Sequence, residues 1–386
     1  MKKKILIVAG EASGDLHGGN LIKSMRRRAS DLEFIGIAGD SMRKAGAHPV
    51  YHSSEVAFMG YIEVIKHLPF IRRMMRDMID IVQNQTLDLI ILIDYPGFNL
   101  RFAKKVRKFN QDIPIFYYIS PQVWAWNKSR ASKMAKWIDR IAVIFPFEVD
   151  IYKRVGLDAH FVGHPLLEIL DASNASSSAT QDRELFCQTY GLDPSRPILG
   201  MLPGSRRQEI RRLLPVMLES ALAVKREIPD LQFTLSVAPT LSPEFIKSYL
   251  IDSHLDALYL KGCNYDLIRS ADVMLVKSGT STLETGIIGK PMVIIYKINW
   301  LSYLLARLLV KVDHIGMVNV VAGRRIAPEL IQHEAAPEKI APLICDLLTR
   351  PDKREAMKKD LQSVRKRLGT PGASERAASL ALELIR

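Results

Sequence analysis

The stretch Lys4 to Asp15, KILIVAGEASGD, runs from a charged residue through five apolar ones into a turn of small and acidic residues. An apolar run of that length closed by glycine reads as a buried strand. The residues after it, with Gly18 and Gly19 following, read as the opening of a helix. Moving outward, the same alternation recurs. Glu33 to Ala38, Leu89 to Asp94, Ile113 to Ile119 and Arg140 to Phe145 read as buried strands, separated by the amphipathic patterns Gly18 to Arg28, Ile62 to Gln83, Leu100 to Asn110 and Ser129 to Trp137. Strands alternating with helices predict a parallel sheet covered on both faces. The Ser/Ala-rich stretch Asp171 to Gln181, DASNASSSATQ, interrupts the pattern and reads as a linker or surface loop. Beyond it Pro197 to Leu202, Leu231 to Ala238, Ala257 to Leu260, Val273 to Val276 and Met292 to Tyr296 start the alternation again, and from Pro337 the pattern is wholly helical.

The expected architecture is α/β: two Rossmann-like doubly wound domains facing a cleft, with C-terminal helices. Residues 1–170 form the first domain, 182–350 the second, and 351–386 a helical end packing back on the first domain or on a partner subunit. The length, 386 residues, suits two domains at about 100 to 200 residues each. Three widely spaced cysteines, with no C-x-x-C pair, exclude a disulfide framework and a cysteine zinc site and point to a reducing cytoplasm. The charged start before Ile5 imitates a signal peptide, but the apolar run stops at Glu11. No stretch reaches the roughly 18 apolar residues of a membrane span. With 54 basic against 41 acidic residues, a net of +13, the chain suits an anionic partner: nucleic acid, a membrane surface or a phosphorylated substrate.

Ligands of doubly wound sheets bind at the carboxyl ends of strands, so the turns there hold the candidate residues. In the first, Glu11, Ser13 and Gly14 suit sugar hydroxyls rather than phosphate; the plainer alternative is a tight turn with Asp15 as helix N-cap. Asp94 follows the apolar run Ile91 to Ile93, as a capping residue or as a general base. Trp124 and Trp126 either stack on a sugar or pack in the core, and His164 is either an acid–base group or a hinge histidine bonded to backbone. In the second half, Leu202-Pro203-Gly204-Ser205-Arg206 offers close backbone approach, a helix start and a guanidinium matched to phosphate oxygens. Ser278, Gly279, Thr280, Ser281 and Thr282 repeat that logic for a pyrophosphate, with Glu284 placed to accept from ribose hydroxyls. Neither loop is a Walker sequence, and no acidic pair or histidine cluster supplies metal ligands. Charge on a departing diphosphate then falls to Arg206 and helix amides.

Two segments read as lipid-facing. Met59 to Met78 mixes bulky apolar residues with basic ones, and Ile65, Lys66, Leu68, Phe70, Ile71, Arg72, Arg73 and Met75 are its candidate membrane contacts. Trp300 to Val312 is similar, and helices packed on a core carry the same pattern.

Eight blocks occur in order: VAGEASGD at 8–15, MGYIEV at 59–64, IDYPGFN at 93–99, SPQVWAW at 120–126, FVGHP at 161–165, LPGSR at 202–206, SGTSTLE at 278–284 and NVVAGR at 319–324. Together they resemble the GT-B glycosyltransferases and, more closely and nearly end to end, the lipid-A-disaccharide synthase family. The resemblance implies a hexosyltransferase. It would transfer 2,3-diacylglucosamine with inversion from its UDP derivative onto the 6-hydroxyl of 2,3-diacylglucosamine 1-phosphate. The products are the β-1,6-linked disaccharide and UDP. It further implies no cofactor or metal, no nucleic acid, an anionic membrane surface at the cytoplasmic face of the inner membrane, and a homodimer through the C-terminal region. By resemblance Asp94 matches the general base, Glu11 and Ser13 the acceptor-side turn, Arg206 the essential arginine, Ser278 to Glu284 the UDP loop, and Asn319 the asparagine of the NxxAGR block. The alternatives are another lipid-linked glycosyltransferase or a UDP-N-acetylglucosamine 2-epimerase of the same fold; a basic binding module without catalysis leaves Asp94 and Arg206 without a role.

Overall fold

The computed structural model describes residues 2–56, 67–126, 129–172, 179–238, 241–262, 264–300, 303–304, 307 and 312–385. They fall into two compact units, one made of Met1–Glu168 with Leu368–Arg386, the other of Ile169–Arg367.

Among the described residues the first unit holds seven strands: β1 (Lys3–Ala9), β2 (Leu32–Ala38), β3 (Ala47–His52), β4 (Leu89–Ile93), β5 (Ile115–Tyr118), β6 (Arg140–Val143) and β7 (Asp158–Phe161). They form one sheet in the order β3-β2-β1-β4-β5-β6-β7, with every pairing parallel. The order reverses beside β1, the switch point at which doubly wound sheets bind ligands. Alternate side chains feed two cores. Leu6, Val8, Ile90, Leu92 and Tyr117 meet Met74, Met78 and Phe102 on one face. Ile5, Ile7, Ile91 and Phe116 meet Leu21, Ile22 and Met25 on the other. Strands buried on both faces explain why these runs are continuously apolar rather than alternating.

The second unit holds β8 (Ile198–Leu202), β9 (Gln232–Val237), β10 (Ala257–Lys261), β11 (Val273–Lys277), β12 (Met292–Tyr296) and β13 (Glu329–Ile331), in the order β10-β9-β8-β11-β12-β13 and again all parallel. Ten of the thirteen described strands lie where the sequence places them. The three it does not show, β3, β7 and β13, are all edge strands. An edge strand needs less apolar surface, and AHPVYH and DAHF carry none of the continuous run that marks a central one.

The C-terminal stretch differs from the expected single piece at 351–386. Helix Pro351–Arg367 belongs to the second unit, packed on helices Thr280–Ile288 and Met317–Ala322. Only the last helix, Ala373–Leu382, belongs to the first unit, where Ala373, Ala377, Ala378 and Ala381 are fully buried beside helix Ala12–Arg28. Ser374 fixes it by donating its N–H (2.8 Å) and hydroxyl (3.0 Å) to the two carboxylate oxygens of Glu168.

Gly36 shows how tightly the first sheet closes. Its φ is +141°, and a Cβ there would lie 2.1 Å from the carbonyl oxygen of Ile7 on the neighbouring strand. The Gly36→Ala variant should therefore lose about 2 kcal/mol or more of stability, read as a lower denaturant midpoint; a wild-type midpoint would refute this account of the β1–β2 pairing.

Candidate functional site

In the first unit, β1 ends at Ala9 and Glu11 takes the N-cap position of helix Ala12–Arg28 without a side-chain cap bond. Glu11 is half-buried and Ser13 exposed, while Gly14 is buried. Asp15 does not cap this helix. Its carboxylate instead accepts the amides of Gly39 (2.7 Å), Ser41 (2.8 Å) and Met42 (3.0 Å), and so caps the neighbouring helix Asp40–Lys44.

β4 ends one residue earlier than expected, at Ile93. Asp94 and Tyr95 both turn into the left-handed region, φ 44° and 45°, costly for residues with a Cβ. The surrounding bonds hold them there. Buried Asn99 donates to the carbonyls of Ile93 (3.2 Å) and Asp94 (2.8 Å), and the Tyr117 hydroxyl also donates to the Asp94 carbonyl. Burial pushes the Asp94 carboxyl up to about 6, the Glu11 carboxylate adds repulsion in the same direction, and a bond from the backbone at Tyr95 opposes them. The result is a half-buried carboxylate that takes up a proton near neutrality, as a general base requires.

At the ends of β5 and β6, the buried Glu148 accepts from the Ser120 hydroxyl (2.6 Å) and the Phe145 amide (3.2 Å). Burial raises its carboxyl to about 7 against those bonds. Trp124 packs edge-on against Phe147, ring centroids 5.4 Å apart. His164 is bonded to backbone, as in the plainer reading: its backbone N–H donates to the Leu368 carbonyl (2.9 Å), its Nδ1 accepts the Leu166 amide (3.2 Å), and burial drops its pKa to about 3.

In the second unit one hollow of about 240 Å³ gathers Gly204, Ser205 and Arg206 from the end of β8 with Gly279, Thr280 and Ser281 from the end of β11. The two phosphate-like loops, more than 70 residues apart in sequence, thus share one site. Lys277, Glu209, Ser236 and Asn264 line it as well. Gly204 has φ +115°, and a Cβ there would lie 2.4 Å from the Glu209 carboxylate. That carboxylate accepts the amides of Ser205 (3.1 Å) and Arg206 (3.3 Å), so these two N–H groups serve the helix start rather than a ligand. Ser205 and Arg206 are exposed, the guanidinium side chain at 63%.

Other residues expected to touch substrate stand one step behind. The Ser278 hydroxyl donates to the Ile315 carbonyl (2.9 Å), and the buried Thr282 hydroxyl accepts the Met317 amide (3.1 Å). Half-buried Glu284 accepts from the Tyr265 hydroxyl (3.1 Å), and burial raises its carboxyl above the ordinary range. Asn319 is fully buried with its amide already bonded: it donates to Ala327 (2.9 Å) and Glu329 (2.7 Å) and accepts from Ile326 (2.8 Å) and Ala327 (2.9 Å). It braces the segment behind the loop instead of contacting a ligand.

The expected membrane segment divides. Ile65 and Lys66 lie outside the described residues. On helix Leu68–Asn84, Met75 is buried in the core, a correction to its expected role, and Phe70 and Ile71 pack partly against that core. Leu68 is half-buried, and Arg72 and Arg73 are exposed. No helix among the described residues is long and apolar enough to cross a membrane.

Asn99, Tyr117, Lys277, Ser236 and Asn264 are site residues that the sequence reading did not assign. Asn99 closes the IDYPGFN block, and Lys277 directly precedes SGTSTLE. Ser236 and Asn264, joined by the Ser236 hydroxyl donating to Asn264 Oδ1 at 2.5 Å, carry no local signal because folding alone brings them together.

Residues 5–384 match the family model for lipid-A-disaccharide synthetase. The lipid-A-disaccharide synthase of Syntrophus aciditrophicus is 44% identical over 385 residues, covering 100% of this chain and 98% of that protein. That of Geobacter metallireducens is 44% identical over 383 residues, covering 99% and 97%. Among solved structures, the UDP-GlcNAc 2-epimerase of Neisseria meningitidis bound to UDP-GlcNAc superposes with a TM-score of 0.68 at 12% identity, covering 98% of this chain and 100% of that one. The glycotransferase of kitacinnamycin gives 0.64 at 16% identity, covering 100% of both. The structural likenesses show the fold alone.

The Asn319→Ala variant should lose about 3 kcal/mol, since it strands buried amides and a carboxylate. Denaturation at wild-type stability, with lost UDP binding as the only defect, would return Asn319 to a ligand-contacting role.

Proposed function

The chain belongs to the lipid-A-disaccharide synthetase family, a hexosyltransferase family, and we propose that it joins UDP-2,3-diacylglucosamine to 2,3-diacylglucosamine 1-phosphate. The observation that carries the mechanism is Asp94: a strand-end carboxyl raised to about 6 by burial and then by Glu11. At neutral pH it is ionised yet a better proton acceptor than an exposed aspartate. The acceptor's 6-hydroxyl oxygen forms a bond to the donor's anomeric carbon as the bond from that carbon to the diphosphate oxygen breaks. The hydroxyl proton passes to the Asp94 carboxylate, and UDP leaves with the bonding electron pair. One displacement inverts the configuration through an oxocarbenium-like transition state, and the product is β-1,6-linked.

In this reading Glu11, Ser13 and Gly14 form the acceptor turn. Gly204, Ser205 and Arg206 with Gly279, Thr280 and Ser281 hold the donor diphosphate, and Ser278, Thr282 and Glu284 fix the shape of the second loop. The charge growing on the leaving group is met by the Arg206 guanidinium. The exposed Arg72 and Arg73, with half-buried Leu68 beside them, rest on an anionic membrane surface at the cytoplasmic face of the inner membrane, where the acylated substrates lie. The C-terminal region would carry a homodimer contact.

Incubation with both substrates should yield UDP and the disaccharide phosphate in equal amounts; UDP without disaccharide would reject the transfer. Asp94→Asn should lower kcat/KM by about 10²- to 10⁴-fold with UDP affinity retained, and full turnover would remove Asp94 as the base. Arg206→Ala should weaken UDP binding by about tenfold or more; unchanged affinity would displace Arg206 from the diphosphate.

A further inference from the structure

We propose that Lys277 neutralises the donor's diphosphate, aimed into the 240 Å³ hollow of the second unit by an ion pair with Glu209. This rests on the reading of that hollow as the donor site and adds to it a charge that reading lacks. Lys277 is the last residue of β11, after the fully buried run Val273–Val276. Its side chain is only 20% exposed, and its Nζ stands 3.0 Å from Glu209 Oε1.

Glu209 is a carboxylate with a surplus of positive partners. One oxygen accepts the Ser205 and Arg206 amides, and the other meets Lys277 Nζ at 3.0 Å and the Arg206 guanidinium at 4.0 Å. Two consequences follow for an incoming diphosphate. The amides of Ser205 and Arg206 are already engaged by Glu209, so cationic side chains must supply the attraction on that side of the hollow. Lys277 and Arg206 together outweigh the single Glu209 charge, which leaves the hollow net positive. An ammonium has three donors, and Glu209 Oε1 takes one, leaving donor capacity for a second anion. A Cβ on Gly279 would stand 3.2 Å from Nζ, so glycine there adds no side chain against the ammonium on the side of the hollow that Thr280 and Ser281 also line. A lysine there acts on phosphate as a compact point charge, complementary to the forked guanidinium of Arg206.

A purely structural ion pair, tying β11 to helix Arg207–Glu227, would matter to folding and not to phosphate. The discriminating quantity is the ratio of UDP to uridine affinity, which isolates the diphosphate. Titration of the full chain should show wild-type protein preferring UDP strongly. Lys277→Met should cut that ratio about tenfold, with uridine affinity within twofold of wild type, and Lys277→Arg should keep the ratio within threefold. If the methionine variant fails to fold, Lys277→Gln, which can still hydrogen-bond to Glu209, carries the same expectation. An unchanged ratio in a folded neutral variant, or a loss in Lys277→Arg as deep as in Lys277→Met, overturns the proposal while the donor reading stands. A wild-type protein with no preference for UDP over uridine overturns both.

Discussion

Within each sheet every described strand runs parallel to its neighbours, and this one constraint sets where chemistry can occur. A parallel strand cannot return by a hairpin; it must cross over through a helix, so all carboxyl ends of a sheet open on a single edge. In the first unit that edge collects the turn at Glu11, the kink at Asp94 and the Ser120–Glu148 contact. In the second it collects the loops beginning at Gly204 and Gly279 with Ser236 beside them. The residues need not be near in sequence to be near one another within their unit, because the crossovers return each strand to the same starting edge.

The two edges are built with opposite electrical character. In the first, carboxylates sit among apolar neighbours: burial raises both Asp94 and Glu148, and Glu11 reinforces the rise at Asp94. Groups so placed are inclined to take a proton, and the left-handed backbone at Asp94 and Tyr95 is braced by Asn99 and Tyr117. In the second, the Glu209 carboxylate is surrounded by two amides, an ammonium and a guanidinium, and Glu284 behind the loop is bonded to the Tyr265 hydroxyl. A sugar transferase needs both: a place for the acceptor's proton and a place for the negative charge of the departing diphosphate.

Much of this was legible before folding. Central strands announce themselves because burial on both faces demands uninterrupted apolar runs, and the turns that end them carry the polar residues. Asp94 stood out as a charge directly after Ile91 to Ile93, and the two glycine and hydroxyl loops matched each other in chemistry. What was not legible has specific physical causes. Edge strands such as AHPVYH bury too little to show a pattern. Asp15 was legible as a cap but not as the cap of another helix, because its partners at Gly39, Ser41 and Met42 lie across a strand connection. Asn319 belongs to a family motif, yet a motif does not say which atoms its asparagine bonds, and here all its bonds point inward. Met75 shares an amphipathic helix with Arg72 and Arg73, and only the packing tells which face meets the core.

The central claim is that Asp94 receives the acceptor's proton, and the acid limb of the pH–rate profile tests it most directly. A base must be ionised to act, so kcat/KM should fall as pH drops through about 6, the value to which burial and Glu11 raise this carboxyl. Glu11→Gln should move that limb to lower pH by less than about one unit, since burial is the larger cause. A profile that stays flat from pH 8 down to pH 5 in the wild-type protein would contradict the account.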